Sequence, residues 1–415
     1  MTSKPKTLAT KEEANPARVP KLRFPEFRDA EGWVAKTFDE LFTIGNGKDY
    51  KHLEAGDVPV YGSGGYMLSV NDYLHDGESV CIGRKGTIDN PMFLTGRFWT
   101  VDTLFYTHSF KDCLPKFIFA VFQQIDWLKH NEAGGVPSLS KTNIQKIQTT
   151  VPTPAEQQKI AECLSSVDEL MAVQARKVDA LKTHKKGLMQ QLFPREGETA
   201  PRLRFPEFRN AGEWEEKPLG EMVELQSGFA FSSSNFGSEG RKLVTPKNFT
   251  KHGHGNFDET VSKYTTEDVP ERFVCKPGDL LVLLTDLTPT CELLGKPLFL
   301  EDKDGTVLLN QRVVRVEPSP SKLETLFLKY VFLSETYNNR IIKTATGSTV
   351  KHSSNKVLQE MPLFHPALPE QQRIATCLSS LDALITAETQ KLEALKTHKK
   401  GLMQQLFPSL DEVEA

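Results

Sequence analysis

The stretch LKTHKKGLMQQLF at Leu181–Phe193 recurs letter for letter at Leu395–Phe407, 214 residues further on. Thirteen identical residues at that distance are an internal duplication, and a duplication decides the architecture before any other feature. The match extends upstream, where EQQKIAECLSSVDEL from Glu156 answers EQQRIATCLSSLDAL from Glu370. Glu156–Pro194 against Glu370–Pro408 gives 27 identities in 39 positions. A second pair opens each half, LRFPEFR at Leu22–Arg28 and again at Leu203–Arg209, displaced by 181 residues. The two displacements differ by 33, so the middle of the second half is longer by that much. Those middles, roughly 37–150 and 218–365, show little resemblance to each other. Two copies of one frame therefore hold two different inserts.

Inside the repeat the apolar positions run Ile160, Leu164, Val167, Met171, Val178, Leu181, Leu188 and Leu192, with Gln174 and Lys185 filling the two missing steps. The second copy runs Ile374, Leu378, Leu381, Ile385, Leu392, Leu395, Leu402 and Leu406, with Glu388 and Lys399 in the same two steps. Gaps alternate four and three, the heptad seam of a coiled coil held for about five heptads. Pro154 and Pro369 stand just before each helix, and Pro194 and Pro408 end it. Gly187 and Gly401 each weaken it by up to ~1 kcal/mol. A helix of ~38 residues spans roughly 57 Å. Two narrow seams in one chain pair most simply with each other, and the insert between them favours an antiparallel pairing. If Gln174 meets Lys399, the duplication sets Lys185 against Glu388, and buried polar pairs of that kind fix a register. Pseudo-twofold symmetry also places the N-terminal LRFPEFR string beside the end of the C-terminal helix.

The expected fold is α+β: two divergent α+β domains on a pseudo-twofold frame, separated by two long repeated helices that form an antiparallel coiled coil. The chain divides into a polar tail at 1–20, a first domain at 21–153, a helix at 154–194, a second domain at 195–367, a helix at 368–408 and a C-terminal tail at 409–415. In the first insert VPVYG, ESVCIG and RFWTVDTLFYT read as strands, and Lys116–Leu128 as a helix. In the second, DLLVLLT, KPLFL and NQRVVRVE read as strands, and Glu324–Ile342 as the matching helix. Both inserts end in the order strands, helix, basic loop, long helix.

Composition is that of an ordinary soluble protein, 38% hydrophobic and 25% charged. No apolar run approaches the ~18 residues of a membrane helix, and the polar start is no secretory signal. Cys81, Cys113, Cys163, Cys275, Cys291 and Cys377 form no C-x-x-C pair, which fits reduced thiols in a cytoplasmic protein. The net charge of −3 argues at first against a nucleic-acid partner. Local counts qualify that, because Asn338–Lys356 carries Arg340, Lys343, Lys351 and Lys356 and no acid. The matching stretch Trp127–Ile147 has Lys129, Lys141 and Lys146 against the single Glu132. Basic loops rich in small residues suit phosphate oxygens, and equally suit a solvated surface. No catalytic signature stands. GNGKDY at Gly45–Tyr50 lacks the spacing of a phosphate-binding loop, and His252 and His254 have no ligand partners at metal spacing. The chain is expected to perform no chemistry itself.

The repeated strings LRFPEFR, PAEQQKIAECLSS with PEQQRIATCLSS, and LKTHKKGLMQQLFP resemble those of the specificity subunit of type I restriction-modification systems. The resemblance covers Val19–Pro408, with the inserts alike mainly in layout. It implies a cytoplasmic bacterial or archaeal protein of phage defence, whose inserts are target-recognition domains that each read one half of a split, asymmetric double-stranded DNA sequence. It also implies that the long helices set the gap between half-sites and dock two methyltransferase subunits, with two motor-nuclease subunits joining to complete the restriction enzyme. S-adenosylmethionine, ATP and magnesium then belong to the partners, and none is bound by this chain.

As DNA-contacting residues this reading selects Lys48, Tyr50, Lys51, Ser63, Tyr66, Arg84, Lys85 and Lys141 in the first domain. In the second it selects Ser232, Ser233, Ser234, Lys247, Asn248, Gln311, Arg312, Lys343, Ser348, Lys351 and His352. Arg and Lys suit guanine edges or phosphates, and Asn and Gln suit adenine. Two rivals stand beside it: an adaptor whose coiled coil joins two protein-binding domains, and an enzyme with an unrecognised active site. Two divergent readers on equal frames disfavour the first, and the absence of clustered acids or a nucleotide fold disfavours the second.

Overall fold

The computed structural model describes residues 19–286, 290–347 and 350–408; Ser348, most of the N-terminal tail and the C-terminal tail lie outside them. The chain forms two compact units, one holding the residues up to Ala175 and those from Gln390 onward, the other holding Arg176–Thr389. Each long helix contributes one stretch to either unit.

The repeated strings bind one another. In unit one, Arg23 of LRFPEFR grips Glu156 of EQQ through two bonds of 2.7–2.8 Å, while its Nη1 and Nη2 groups donate to the carbonyls of Ala30 and Glu31. Both side chains are almost wholly buried. The next residue, Gln157, donates to the Asp112 and Pro152 carbonyls and accepts from the Leu114 N–H, each at 2.9 Å. Unit two repeats this contact for contact: Arg204 holds Glu370 and the Ala211 and Gly212 carbonyls, and Gln371 holds Lys322, Pro366 and Glu324. A buried pair repays its desolvation only when further hydrogen bonds hold it, and the repeated strings bring the arginine, the glutamate and the glutamine together. The phenylalanine of QLFP completes an aromatic triad in each unit. Trp33, Phe117 and Phe407 have ring centroids 5.4–5.7 Å apart, and Trp214, Phe327 and Phe193 5.6–6.3 Å. A short antiparallel ladder closes each insert, Val34–Thr37 on Gln148–Val151 and Glu215–Pro218 on Pro362–His365.

The long helices run Pro154–Leu192 and Leu368–Leu406, 39 residues each. Pro154 and Pro369 both lie inside the first turn rather than before it, where the missing N–H costs nothing. Packing is antiparallel within each unit. In unit one Ile160 and Leu164 share a core with Met403 and Leu406, while Asp168 meets Lys399. In unit two Leu192 shares a core with Ile374 and Leu378, while Lys185 meets Asp382. None of the twenty seam residues is exposed. The register differs from the expectation drawn from seam polarity. Lys399 bonds Asp168 and Lys185 bonds Asp382, each six positions before Gln174 and Glu388, and Glu388 takes Lys177 instead. A seam lysine is long enough to carry its ammonium to a carboxylate flanking the seam, so it avoids burial against another seam polar group.

The inserts share a topology that their sequences hide. In unit one a sheet ordered Thr43–Asn46, Leu104–His108, Ser79–Gly83, Met92–Leu94 packs on helix Pro115–Phe122. In unit two the order Val223–Ser227, Val313–Pro318, Leu280–Leu283, Pro297–Phe299 packs on helix Thr325–Leu333. Each second sheet has one parallel pair at its centre, Val60 opposite Trp99 and Leu243 opposite Leu308. The longer second insert adds the strand Phe236–Gly237 and an excursion over 245–262.

Four elements differ from the sequence reading. DLLVLLT is the strand Leu280–Leu283 followed, after Leu284, by Thr285–Asp286 in a separate sheet. RFWTVDTLFYT is two strands, Arg97–Thr100 and Leu104–His108, folded at Val101–Thr103. The first insert's helix ends at Phe122 rather than Leu128, before a 3-10 turn at Trp127–His130. Glu324–Ile342 is two helices, Thr325–Leu333 and Glu335–Lys343, because the Ser334 hydroxyl accepts from the Tyr337 N–H and starts the second.

Candidate nucleic-acid interface

In unit one three loops converge on the Val101–Thr103 turn. The chain after Gly47 is tied down by the Lys48 N–H on the Thr100 carbonyl, and the Trp99 indole N–H donates back to the Lys48 carbonyl, both at 2.8 Å. A Cβ on Gly47 would lie 1.9 Å from the Val101 carbonyl oxygen, so only glycine permits this approach. In the next loop the Arg84 and Lys85 N–H groups both donate to the Thr103 carbonyl, and the Arg84 guanidinium reaches the Asp102 carbonyl at 3.4 Å. The third loop joins through Gly86 N–H to Pro137 and Leu139 N–H to the Arg84 carbonyl, each at 2.9 Å. The hairpin tip at Gly62–Gly65 leans over the same turn, and a cleft of about 680 Å³ opens between them, lined among others by Tyr50, Lys51, Ser63, Tyr66, Asp102 and Thr103. Lys48, Lys51, Arg84 and Lys85 are exposed, and Tyr66 is 63% exposed. Lys141, half-buried, opens the short helix that follows the third loop.

Unit two builds the same edge from different residues. Phe229 N–H donates to Leu309, Leu284 N–H to Arg312, and Ser353 N–H to Leu284, matching Lys48 on Thr100, Arg84 on Thr103 and Leu139 on Arg84. Gly228 approaches the Asn310 carbonyl as Gly47 approaches that of Val101. Gln311 and Arg312, both exposed, thus occupy the place of Asp102 and Thr103. Lys351 and His352 form a ladder with Asp286 and Thr285 beside them. Lys351 is half-buried with its ammonium on the Gly347 carbonyl at 2.8 Å, and the His352 ring lies 3.3 Å from the Thr285 hydroxyl. Among the described residues no group of three metal-ligating side chains is present.

A sequence model of the type I restriction modification DNA specificity domain matches residues 30–183 and again 211–397. The chain belongs to that family. Among curated relatives, it is 29% identical over 353 residues to the type I restriction enzyme MjaVIII specificity subunit of Methanocaldococcus jannaschii, covering 82% of this chain and 79% of the relative. It is 28% identical over 184 residues to the EcoBI specificity subunit of Escherichia coli, covering 44% of this chain and 35% of that one. A crystal structure of a type I restriction-modification S subunit from M. genitalium shares the fold, with TM-score 0.62, 15% identity, and 94% and 99% of the two chains covered. A structure described as showing complex assembly and conformational transition of a type I system aligns with TM-score 0.53 at 16% identity, over 91% and 98% of the two chains.

For a specificity subunit, the placement of the sequence-selected residues sorts them. Lys48, Tyr50, Lys51, Ser63, Tyr66, Arg84 and Lys85 share one edge, as do Gln311, Arg312, Lys351 and His352 in unit two. Asn248 does not belong to a reading surface. It is fully buried, its Oδ1 accepting from the Thr245 N–H and hydroxyl while its Nδ2 donates to the Asn256 carbonyl. It holds the turn that presents the exposed Lys247. The ammonium of Lys343 is engaged by Glu196 at 3.1 Å. Ser232 and Ser234 bond each other, and the Ser232 N–H is held by Glu267; Ser233 is exposed between them. Asp102 and Thr103 were missed, because reading Arg97–Thr107 as one strand hid the turn that carries them. The polar Asp-Thr pair inside an apolar run was the available signal.

Proposed function

We propose that this chain is the DNA-reading, non-catalytic subunit of a type I restriction-modification complex, each unit reading one half of a bipartite, asymmetric target. The supporting observation is the pair of repeat-equivalent edges, built by the same backbone bonds yet presenting Asp102 and Thr103 in one unit and Gln311 and Arg312 in the other. An acid accepts from cytosine, Gln suits adenine and Arg suits guanine, so equal scaffolds with unequal side chains give two different half-sites. Lys48, Lys51, Arg84, Lys85, Lys247 and Lys351 supply phosphate contacts, which position without specifying.

The long helices set the gap between half-sites and dock two methyltransferase subunits. On their outer faces Leu170 and its repeat partner Leu384 are 58% and 41% exposed, and Val173 is 55% exposed. Apolar side chains at duplicated positions suit two copies of one partner. The complex then methylates adenine with S-adenosylmethionine or, with two motor-nuclease subunits, ATP and magnesium, cleaves DNA in a bacterial or archaeal cytoplasm. The test is to co-express the chain with its methyltransferase and sequence the modified adenines. A single split motif, lost when this chain is omitted, is the expected result; a stable complex that leaves no motif would refute it.

A further inference from the structure

Unit two contains a buried ionic cluster centred on Asp382 of the second long helix. One carboxylate oxygen takes the ammonium of Lys185, and the other takes the Tyr330 hydroxyl at 2.8 Å, with Lys329 at 3.8 Å and His254 Nε2 at 4.0 Å. On its other side His254 bonds Glu301 at 2.9 Å, and Glu301 holds Lys303. Asp382 is 11% exposed and Lys329 4% by side chain. At the repeat-equivalent place in unit one, Asp168 is 45% exposed and pairs with Lys399, which also reaches Gln123.

The cluster does more than join helices, because His254 lies on the 245–262 excursion that only the second insert has. The His254 carbonyl accepts from Thr250, and the Phe299 N–H donates to the Gly253 carbonyl. Two residues on, Asn256 exchanges two bonds of 2.8 Å with Asn248, and Asn248 caps the Thr245–Asn248 turn that presents Lys247. Hydrogen bonds, the 4.0 Å approach of His254 to Asp382 and two residues of chain thus link the coiled coil to the Thr245–Asn248 turn, which follows Val244 where that strand pairs in parallel with Leu309, just before Gln311 and Arg312. A site held by such a second layer loses accuracy when the layer loosens, even if nothing that touches the ligand changes.

We infer that Asp382 is a positioning residue for half-site specificity: through His254 and the Asn256–Asn248 bonds it fixes the loop whose Lys247 phosphate contact sets the register in which Gln311 and Arg312 meet their bases. This rests on unit two being a DNA reader. Breaking a buried charged cluster also threatens folding, so two variants and a control are needed. Asp382→Asn removes the charge, and Tyr330→Phe removes one of its hydrogen bonds while keeping the ring. Asp168→Asn makes the same change at the half-exposed equivalent.

The measurement is the methylated motif of each complex, read by sequencing. Asp382→Asn and Tyr330→Phe should raise methylation at sites with one mismatch by about tenfold, in one half of the motif only. Asp168→Asn should leave both halves as in the wild type. An unchanged motif in both variants, or equal relaxation of both halves, overturns the inference. So does loss of all methylation from both variants while Asp168→Asn stays active, since Asp382 would then serve folding alone. If the wild-type chain itself yields no split motif, the DNA-reading function fails first and this inference with it.

Discussion

Asp102 and Gln311 sit at one position of two inserts of unlike sequence; the Asp102 carbonyl accepts from the Arg84 guanidinium, the Gln311 N–H donates to the Phe229 carbonyl, and both residues are exposed. Truncating either should therefore change what is read and leave the fold alone. Asp102→Ala should relax one base pair in one half of the target, at about 1–3 kcal/mol of discrimination, and Gln311→Ala one base pair in the other half. Competition binding with single-substituted duplexes checks this, and a uniform loss against all duplexes would reassign them to backbone grip. A second expectation concerns His254. Burial first, then Lys329, pulls its imidazole below the ordinary value of 6.5, against Glu301 and Asp382. A base that binds protons less well folded than unfolded contributes stability above its unfolded value and loses it as pH falls through that value. Unit two should melt at lower temperature at about pH 5.5 than at about pH 7.5, and His254→Gln should flatten that slope. Identical slopes would remove His254 from the account. Cys81 and Cys275, whose thiols burial pushes up to about 12, should stay silent to thiol reagents in the folded chain.

The long helices were legible because heptad spacing and exact repetition are local facts. Their register was not. It depends on Asp168 and Asp382, which flank the seam and look like ordinary solvent-facing acids until the partner helix brings a lysine to them. The frame strings were legible as repeats but not as contacts, since Arg23 and Glu156 lie 133 residues apart. Within the inserts, apolar runs marked strands correctly and concealed their interruptions, as at Val101–Thr103 and at Ser334. Asn248 was misjudged because a capping asparagine and a base-reading asparagine share one sequence signature. One weakness of the helices is correctable. A Cβ on Gly187 or Gly401 would meet nothing within 4 Å, so Gly→Ala at either should add up to about 1 kcal/mol to helix stability, seen as a later denaturant midpoint. A fall in midpoint would mean that a partner or a bend requires the glycine.

At the scale of the molecule, each compact unit draws on both long helices, and the exposed apolar residues of those helices are the proposed docking surface. Leu170→Arg should leave the thermal transition within about 0.5 kcal/mol of wild type, as surface changes do, yet weaken capture of the methyltransferase on a column. Unchanged capture would move the docking surface elsewhere. The frame has one more property. The Leu203 N–H donates to the Gln191 carbonyl at 3.0 Å, across a covalent link of eleven residues, and the Leu22 N–H donates to the Gln405 carbonyl at 2.9 Å with no such link. The same join is made once along the chain and once through space, so the position of the backbone break is immaterial to the frame. A circular permutant, opened between Pro194 and Leu203 and sealed from Pro408 to Leu22 with a spacer of the same length, should fold, assemble and read the parent's target with its halves in the parent's order.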